Sequence, residues 1–126
     1  MSTVKAGRLL IADDDRELVD AYVLFFEAHG YIIQTAADGV AALAAYRASR
    51  PDIVMLDIQM PGMDGHTVAR EIRRMAFIPR PLLLAVTTLH AHAERLDSFS
   101  AGFDHHFVKP AELPVILAAM ASRIAH

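Results

Sequence analysis

The chain has 126 residues, no cysteine, and a formal net charge of −3 from 12 basic and 15 acidic side chains. This length suits one domain, and a hydrophobic content of 54% excludes intrinsic disorder. The lack of cysteine excludes disulfides and thiolate metal sites, and the acidic balance offers no basic field for direct nucleic-acid binding. With no apolar leader and no membrane-length apolar run, we expect one cytoplasmic domain over residues 1–126 that binds no membrane.

Five short apolar runs follow one another along the chain, and most end at a polar residue. They occupy positions 9–12, 31–33, 53–56, 82–86 and 107–108. Uninterrupted apolar runs of this length are typical of strands that are buried on both faces, as in a parallel sheet.

Helical segments with capping signals lie between the apolar runs. The aspartates expected to cap the first three helices are Asp14, Asp38 and Asp64. Glu17 would complete a capping box in the first helix. The fourth helix is expected at about 91–101 and the fifth at 113–124. Five strand–helix units predict an α/β fold, with a doubly wound parallel sheet flanked by five helices.

Complementary polar groups follow four of the five predicted strands. They are Asp13, Asp14, Asp57, Thr87 and Lys109. Alone, each has an ordinary explanation as a helix cap, a turn residue or a surface lysine. Together they meet at one edge, because the carboxyl ends of parallel strands share an edge. Three crowded carboxylates repel unless a hard divalent cation joins them, and a lysine with a hydroxyl can hold a phosphoryl group. The pattern predicts phosphoryl transfer onto an aspartate.

The stretches LLIADDD, DIVMLDIQMPGMDG, LLLAVTT and FVKP carry a resemblance to a known family. The chain resembles the receiver domain of two-component response regulators, which has the CheY-like (flavodoxin-like) fold. The resemblance covers positions 8–124, and it implies a five-stranded parallel sheet in the order 2-1-3-4-5.

The resemblance implies a phosphoryl acceptor and a metal site. Asp57 would accept a phosphoryl group from a sensor histidine kinase or a histidine phosphotransfer protein. Asp14, Asp57 and the backbone carbonyl of Gln59 would bind Mg²⁺ (or Mn²⁺) directly, and Asp13 would hold it through water.

The resemblance also implies a conformational switch. Thr87 and Lys109 would contact phosphoryl oxygens, and the Lys109–Pro110 bond would be cis. Where the family carries Tyr or Phe as a switch residue, this chain has His106. Because burying an imidazolium is costly, we expect a weaker active state at acidic pH if this ring moves inward. A surface histidine with no such role is the alternative.

The predicted partner surface is formed by the fourth helix, fifth strand and fifth helix. The fifth helix carries no charge from 113 to 122. Helical spacing turns its larger apolar residues toward the sheet. Small side chains remain on its outer side, at Val115, Ala118, Ala119 and Ser122. Such a face suits a downstream protein, an output domain or a second copy of the chain, although alanine is also simply a good helix former.

Two other functions compete with the phosphorylated switch. A magnesium-dependent phosphohydrolase similar to the haloacid dehalogenase group would need a second aspartate at the position of Gln59. A phosphorylation-independent interaction module would tolerate a degraded acidic site, whereas this one is complete. We therefore expect no enzyme beyond self-phosphorylation and self-dephosphorylation. Two histidine clusters, His90 with His92 and His105 with His106, match no firm metal-binding signature.

Overall fold

The structure is a computed structural model that describes residues 7–88 and 92–124, with side chains described at all of these except 92–94 and 123–124. Five parallel strands form one sheet. They are β1 Arg8–Ala12, β2 Ile32–Ala36, β3 Ile53–Leu56, β4 Leu82–Thr87 and β5 His105–Val108. Their spatial order, β2-β1-β3-β4-β5, confirms the predicted fold class and sheet order.

Five helices alternate with the strands. They are α1 Arg16–Ala28, α2 Gly39–Ser49, α3 Gly65–Met75, α4 His92–Ala101 and α5 Leu113–Ile124. No helix in the described part of the chain is both long enough and apolar enough to cross a bilayer.

The sheet separates two apolar cores. Alternate side chains of a strand point to opposite faces, so Leu10 of β1 joins the core under α2, α3 and α4. Leu9 and Ile11 join the other core, under α1 and α5. Phe26 of α1 and Ile116 of α5 are both fully buried there. The central strands are therefore covered on both faces, as their uninterrupted apolar runs predict.

Strand register brings the strand-ending polar residues together. Ala12 pairs with Leu56, and Leu56 pairs with Ala85. The backbone N–H of Asp57 continues the β1–β3 ladder by donating to the carbonyl of Ala12 at 2.9 Å. Asp57 and the acidic residues after β1 therefore leave the sheet side by side.

The predicted first cap, Asp14, is wrong by one residue. Asp15 is the N-cap of α1, and its carboxylate accepts from the backbone N–H of Leu18 at 3.2 Å. Three successive aspartates can each cap a helix, but Asp14 lies with Asp13 and Asp57 in one acidic cluster, which leaves Asp15 as the cap. Glu17 consequently does not complete a capping box.

Two expected caps are confirmed. The Asp38 side chain accepts from Ala41 N at 2.7 Å, and the Asp64 side chain accepts from Thr67 N at 2.9 Å. The two helices that these aspartates begin, α2 and α3, lie on the same face of the sheet. Because each helix follows the carboxyl end of a strand, both N-terminal ends lie at the edge that carries Asp57.

Candidate functional site

Three carboxylates gather at the carboxyl edge of the sheet. Oxygens of Asp13, Asp14 and Asp57 all lie within 4.8 Å of one another. Asp13 and Asp57 are 5% and 7% exposed, whereas Asp14 is exposed. The site therefore combines two buried carboxylates with one that faces solvent.

Lys109 neutralises part of this charge. Its ammonium lies 2.7 Å from Asp13 Oδ2 and 3.3 Å from Asp57 Oδ2. The end of β5 positions the side chain, because the Lys109 backbone N–H donates to the Thr87 carbonyl at 2.8 Å. The bond from Lys109 to Pro110 is cis. One ammonium therefore bridges the two buried carboxylates.

The remaining carboxylate oxygens hold the local backbone. Asp13 Oδ1 accepts from the N–H of Asp15 at 2.9 Å, and Asp57 Oδ1 accepts from the N–H of Gln59 at 3.2 Å. A side chain at Gly65 would collide with the backbone carbonyl of Asp57. Glycine there lets α3 begin directly behind the acidic site.

The electrostatics of the site follow from burial and from these contacts. Burial raises the pKa of Asp57, the charge of Asp13 adds to the rise, and Lys109 only partly opposes it. Burial acts to lower the pKa of Lys109, but the hydrogen bond to Asp13 and the charges of both aspartates outweigh it, so that pKa is raised. The acidic groups therefore hold Lys109 protonated, and the charge of Asp57 is incompletely compensated.

Tyr22 was not predicted as part of the site. It is buried on α1, and this burial is the main cause that raises the pKa of its phenol to about 12. The charge of Lys109 acts to lower this pKa, whereas the nearby aspartates raise it further. Tyr22 therefore contributes a neutral phenol to the wall of the site. Its position in an apolar helical stripe gave no signal of this role.

The chemistry of the donor set fits a hard divalent cation. All three candidate side-chain ligands are carboxylates, and among the described residues the ammonium of Lys109 is the one cation that pairs with them. Mg²⁺ prefers oxygen ligands and usually combines one or two carboxylates with water. Asp13, Asp14 and Asp57 could hold such an ion while Lys109 remains in place.

Thr87 and Thr88 close the opposite side of the site. Thr87 ends β4 and is completely buried. Thr88 is exposed, and its hydroxyl donates to Gln59 Oε1 at 3.2 Å. The loops after β3 and β4 are thus linked beside Asp57, and Gln59 places an amide where a hydrolase would need a carboxylic acid.

His106 belongs to a polar cluster that the sequence did not reveal. Its Nδ1 lies 2.9 Å from the hydroxyl of Ser98, and His66 Nε2 lies 3.2 Å from the same hydroxyl. Ser98 is completely buried. The hydroxyl of Ser98 therefore joins α4 to α3 and β5.

The structure describes the side chains of one histidine cluster, His105 with His106, and these two rings lie on opposite faces of β5. His105 stacks on Phe107 with ring centroids 6.1 Å apart, whereas its neighbour His106 bonds to Ser98 from the other face of β5. His90 and the side chain of His92 lie outside the described residues.

The outer side of α5 is exposed, and large apolar side chains continue that surface. Val115, Ala118 and Ser122 are exposed, whereas Ala119 is half-buried. Exposed apolar residues on the adjoining elements are Leu96 and Phe99 of α4 and Val108 of β5. This combined surface is called the α4-β5-α5 face below.

Comparison with known proteins found a matching family model and several curated relatives. A family model described as "Response regulator receiver domain" matches residues 9–121. The transcriptional regulatory protein CseB of Streptomyces avermitilis is 34% identical over 124 residues, which cover 94% of this chain and 50% of CseB. The chain spans about half the length of the curated relatives it matches.

Two solved structures with the same fold are among those that the chain resembles. A response regulator from Chloroflexus aurantiacus is 27% identical, with a TM-score of 0.89 and coverage of 97% of this chain and 100% of that one. A complex of CheX and CheY with BeF₃ and Mg²⁺ from Borrelia burgdorferi contains a chain that is 32% identical, with a TM-score of 0.83 and coverage of 92% and 87%.

In the absence of divalent cations, we expect Asp57→Asn to be more stable than the wild type, by about 1 kcal/mol at neutral pH. Because folding raises the pKa of Asp57, the folded chain binds this proton more tightly than the unfolded chain. The contribution of this carboxyl to the free energy of unfolding is fully present below its ordinary pKa. It is lost as the pH rises through the raised pKa of the folded state.

The stability difference should therefore widen from about pH 4 to about pH 7. Thermal melts in EDTA measure it, with Asp97→Asn as the matched control because that aspartate is exposed on α4. A difference that stays constant or narrows with rising pH would contradict the electrostatic account of the site.

Proposed function

The chain belongs to the receiver-domain family of two-component response regulators, and from that membership we propose that it is a switch controlled by phosphorylation of Asp57. The observation that carries the proposal is the Asp57 carboxylate itself. It ends a central strand, lies among the acidic residues after β1, and has Lys109 3.3 Å from one oxygen. A histidine kinase or a histidine phosphotransfer protein is the proposed phosphodonor.

The proposed reaction is a direct phosphoryl transfer. A carboxylate oxygen of Asp57 attacks the phosphorus of a phosphohistidine, an O–P bond forms, and the P–N bond breaks with its electron pair leaving on the imidazole nitrogen, which then takes a proton. Lys109 supports this step because a positioned ammonium stabilises negative charge on the transferring group. Thr87 is proposed to bond to a phosphoryl oxygen in the product.

Mg²⁺ or Mn²⁺ is the proposed cofactor, and it would supply charge neutralisation and orientation of the phosphoryl oxygens. Asp14 and Asp57 are the proposed direct ligands with the carbonyl of Gln59. Asp13 is proposed to act through water, because the ammonium of Lys109 holds its Oδ2 at 2.7 Å, more closely than it approaches Asp57 Oδ2 at 3.3 Å.

Incubation with acetyl phosphate and Mg²⁺ should add one phosphoryl group to the wild type and none to Asp57→Asn, since the amide removes the nucleophile. Intact mass spectrometry measures the product. Asp97→Asn, which changes an exposed carboxylate on α4, should label like the wild type. Labelling of Asp57→Asn at the wild-type rate would refute the assignment.

Calorimetric titration with Mg²⁺ should separate the two neighbouring aspartates. Asp13→Ala is expected to weaken binding by about tenfold, as for an outer-shell carboxylate, and Asp14→Ala should weaken it further because a direct ligand is lost. Equal losses would show that both residues contact the ion in the same way.

A phosphohydrolase is the competing function. Such an enzyme needs a general acid near the nucleophile, and Gln59 instead offers an amide whose oxygen accepts from Thr88. We therefore infer no turnover of external substrates, and only self-phosphorylation and self-dephosphorylation. The complete acidic site likewise argues against a module that works without phosphorylation.

His106 is the proposed switch residue. It would have to leave the hydroxyl of Ser98 to move toward Thr87, so its hydrogen bond opposes the active state. Burying the ring in its charged form adds a further cost at low pH.

Amide shifts of α4 and β5 on adding beryllofluoride and Mg²⁺ should report the active fraction. That fraction is expected to fall from about pH 8 to about pH 6 in the wild type, and to stay constant in His106→Tyr. Identical pH profiles for the two proteins would remove His106 from the mechanism.

The α4-β5-α5 face is the proposed output surface. It presents Phe99, Val108 and Val115, which are 47%, 38% and 51% exposed, beside the small residues of α5. The partner is proposed to be a second copy, an output domain or a downstream protein. Phosphorylation would bias this face only by as much as the two states differ in affinity for the phosphoryl group.

Self-association of the beryllofluoride-loaded protein should weaken by about tenfold in Ala118→Glu, which corresponds to about 1.4 kcal/mol. Ala118 is chosen because it is exposed, whereas Ala119 is half-buried. Ala48→Glu, on the exposed side of α2, is the control. Sedimentation velocity measures the association, and an unchanged constant in Ala118→Glu would exclude α5 from the interface.

A further inference from the structure

A second concave surface lies at the opposite edge of the sheet from Asp57. The end of α3 and the segment between α3 and β4 enclose a cavity of about 360 Å³, which is lined by the apolar residues Ile72, Ala76, Phe77, Ile78 and Pro81 and by Arg73 and Arg80. This surface is called the amino-edge groove, because it precedes the first residue of β4, Leu82.

The apolar part of the groove includes a large apolar side chain that belongs to neither of the two cores. Ile78 is 91% exposed. Single exposed apolar residues are normal on proteins, but this one lies beside an apolar cavity, which is the arrangement that marks binding grooves. The groove could therefore bury a bulky apolar side chain between Ile78 and the neighbouring wall.

The charges around the groove are predominantly positive. Arg73 Nη2 and Arg80 Nη1 both contact the carboxylate of Asp104, at 2.9 and 3.1 Å. The guanidinium of Arg50 lies 3.9 Å from the centroid of the Phe77 ring. Two guanidinium groups thus share one carboxylate, and a third lies against a ring that lines the groove, on a chain whose formal net charge is −3. A local field of opposite sign to the whole protein favours an anionic partner.

Arg73 gives the groove a fixed shape. Besides Asp104, it donates to the carbonyls of Gly102 at 3.0 Å and Pro81 at 2.7 Å. The Asp104 carboxylate in turn accepts from the backbone N–H of Leu83 at 2.9 Å. Arg73 is mostly buried, whereas Arg80 is 64% exposed and Arg50 is also exposed, so these two guanidinium groups border the solvent beside the groove.

We propose that the amino-edge groove binds an acidic segment of a partner protein, which inserts one bulky apolar side chain beside Ile78 and pairs its carboxylates with Arg50 and Arg80. A nucleic acid fits less well, because stacking on bases needs an open aromatic face. The ring of Phe77 is covered by Tyr46, at 5.9 Å between centroids, and by Arg50.

Fluorescein-labelled peptides provide the probe. The first has the order Asp-Glu-Phe-Glu-Asp, the second replaces Phe by Ser, and the third replaces the acids by their amides. Anisotropy titrations should show binding by the first peptide and at least roughly tenfold weaker binding by the second. The third should bind several-fold more weakly, by a factor that shrinks as salt is raised to about 0.15 M. Equal binding by all three would overturn the proposal.

Variants of the protein locate the contact. Ile78→Asp should weaken the first peptide by roughly tenfold, and Arg80→Glu should weaken it several-fold. Arg16→Glu, an exposed arginine at the start of α1, is the matched charge control and should bind normally. Ile78→Asp should still accept a phosphoryl group from acetyl phosphate, so a failure of this proposal is distinguishable from a failure of the Asp57 assignment.

Three other outcomes would also overturn the proposal. A single-stranded DNA of equal charge that binds as tightly as the first peptide, and is lost in Arg80→Glu, would identify a nucleic-acid surface. Association of the wild type that Ile78→Asp abolishes would identify a second copy as the occupant. Unchanged binding in Ile78→Asp would place the peptide elsewhere.

Discussion

The ammonium of Lys109 is the interaction on which the site depends. It lies 2.7 Å from Asp13 and 3.3 Å from Asp57, two carboxylates that the fold buries almost completely. Without a cation, such a pair repels and favours protonation. With one ammonium, both stay close enough to share a metal ion, yet the pKa of Asp57 remains raised. The site is therefore held in an under-neutralised form that a divalent cation and a phosphoryl group can complete.

The rest of the fold serves to bring that charge cluster together. The register of β1, β3 and β4 sets the strand ends side by side, and a glycine at position 65 lets α3 start behind Asp57 without a steric clash. The Thr87 carbonyl holds the backbone of Lys109. Apolar burial on both faces of the sheet stabilises this arrangement, so the electrostatic cost at one edge is offset by the two cores.

Helix α4 has one face in the polar cluster around Ser98 and the other on the α4-β5-α5 face. Its buried Ser98 bonds to His106 and His66, and its exposed Leu96 and Phe99 belong to the α4-β5-α5 face. A change that releases His106 must also alter how α4 packs on β5. Since polar contacts in a buried setting are costly to leave unsatisfied, this cluster favours discrete positions of α4 over gradual drift, which is what the proposed switch would need.

The sequence by itself determined the fold class and the candidate site residues. Uninterrupted apolar runs require strands buried on both faces, and parallel strands that end in Asp13, Asp57, Thr87 and Lys109 must present them at one edge. Only the tertiary structure decided that Asp15 and not Asp14 caps α1, because Asp14 joins an acidic cluster with Asp57, which is distant in sequence. It also decided that Ser98 joins His66 to His106, and that Ile78 lies beside an arginine-rimmed groove. These features arise from contacts between distant residues, and local periodicity and capping signals carry no information about such contacts.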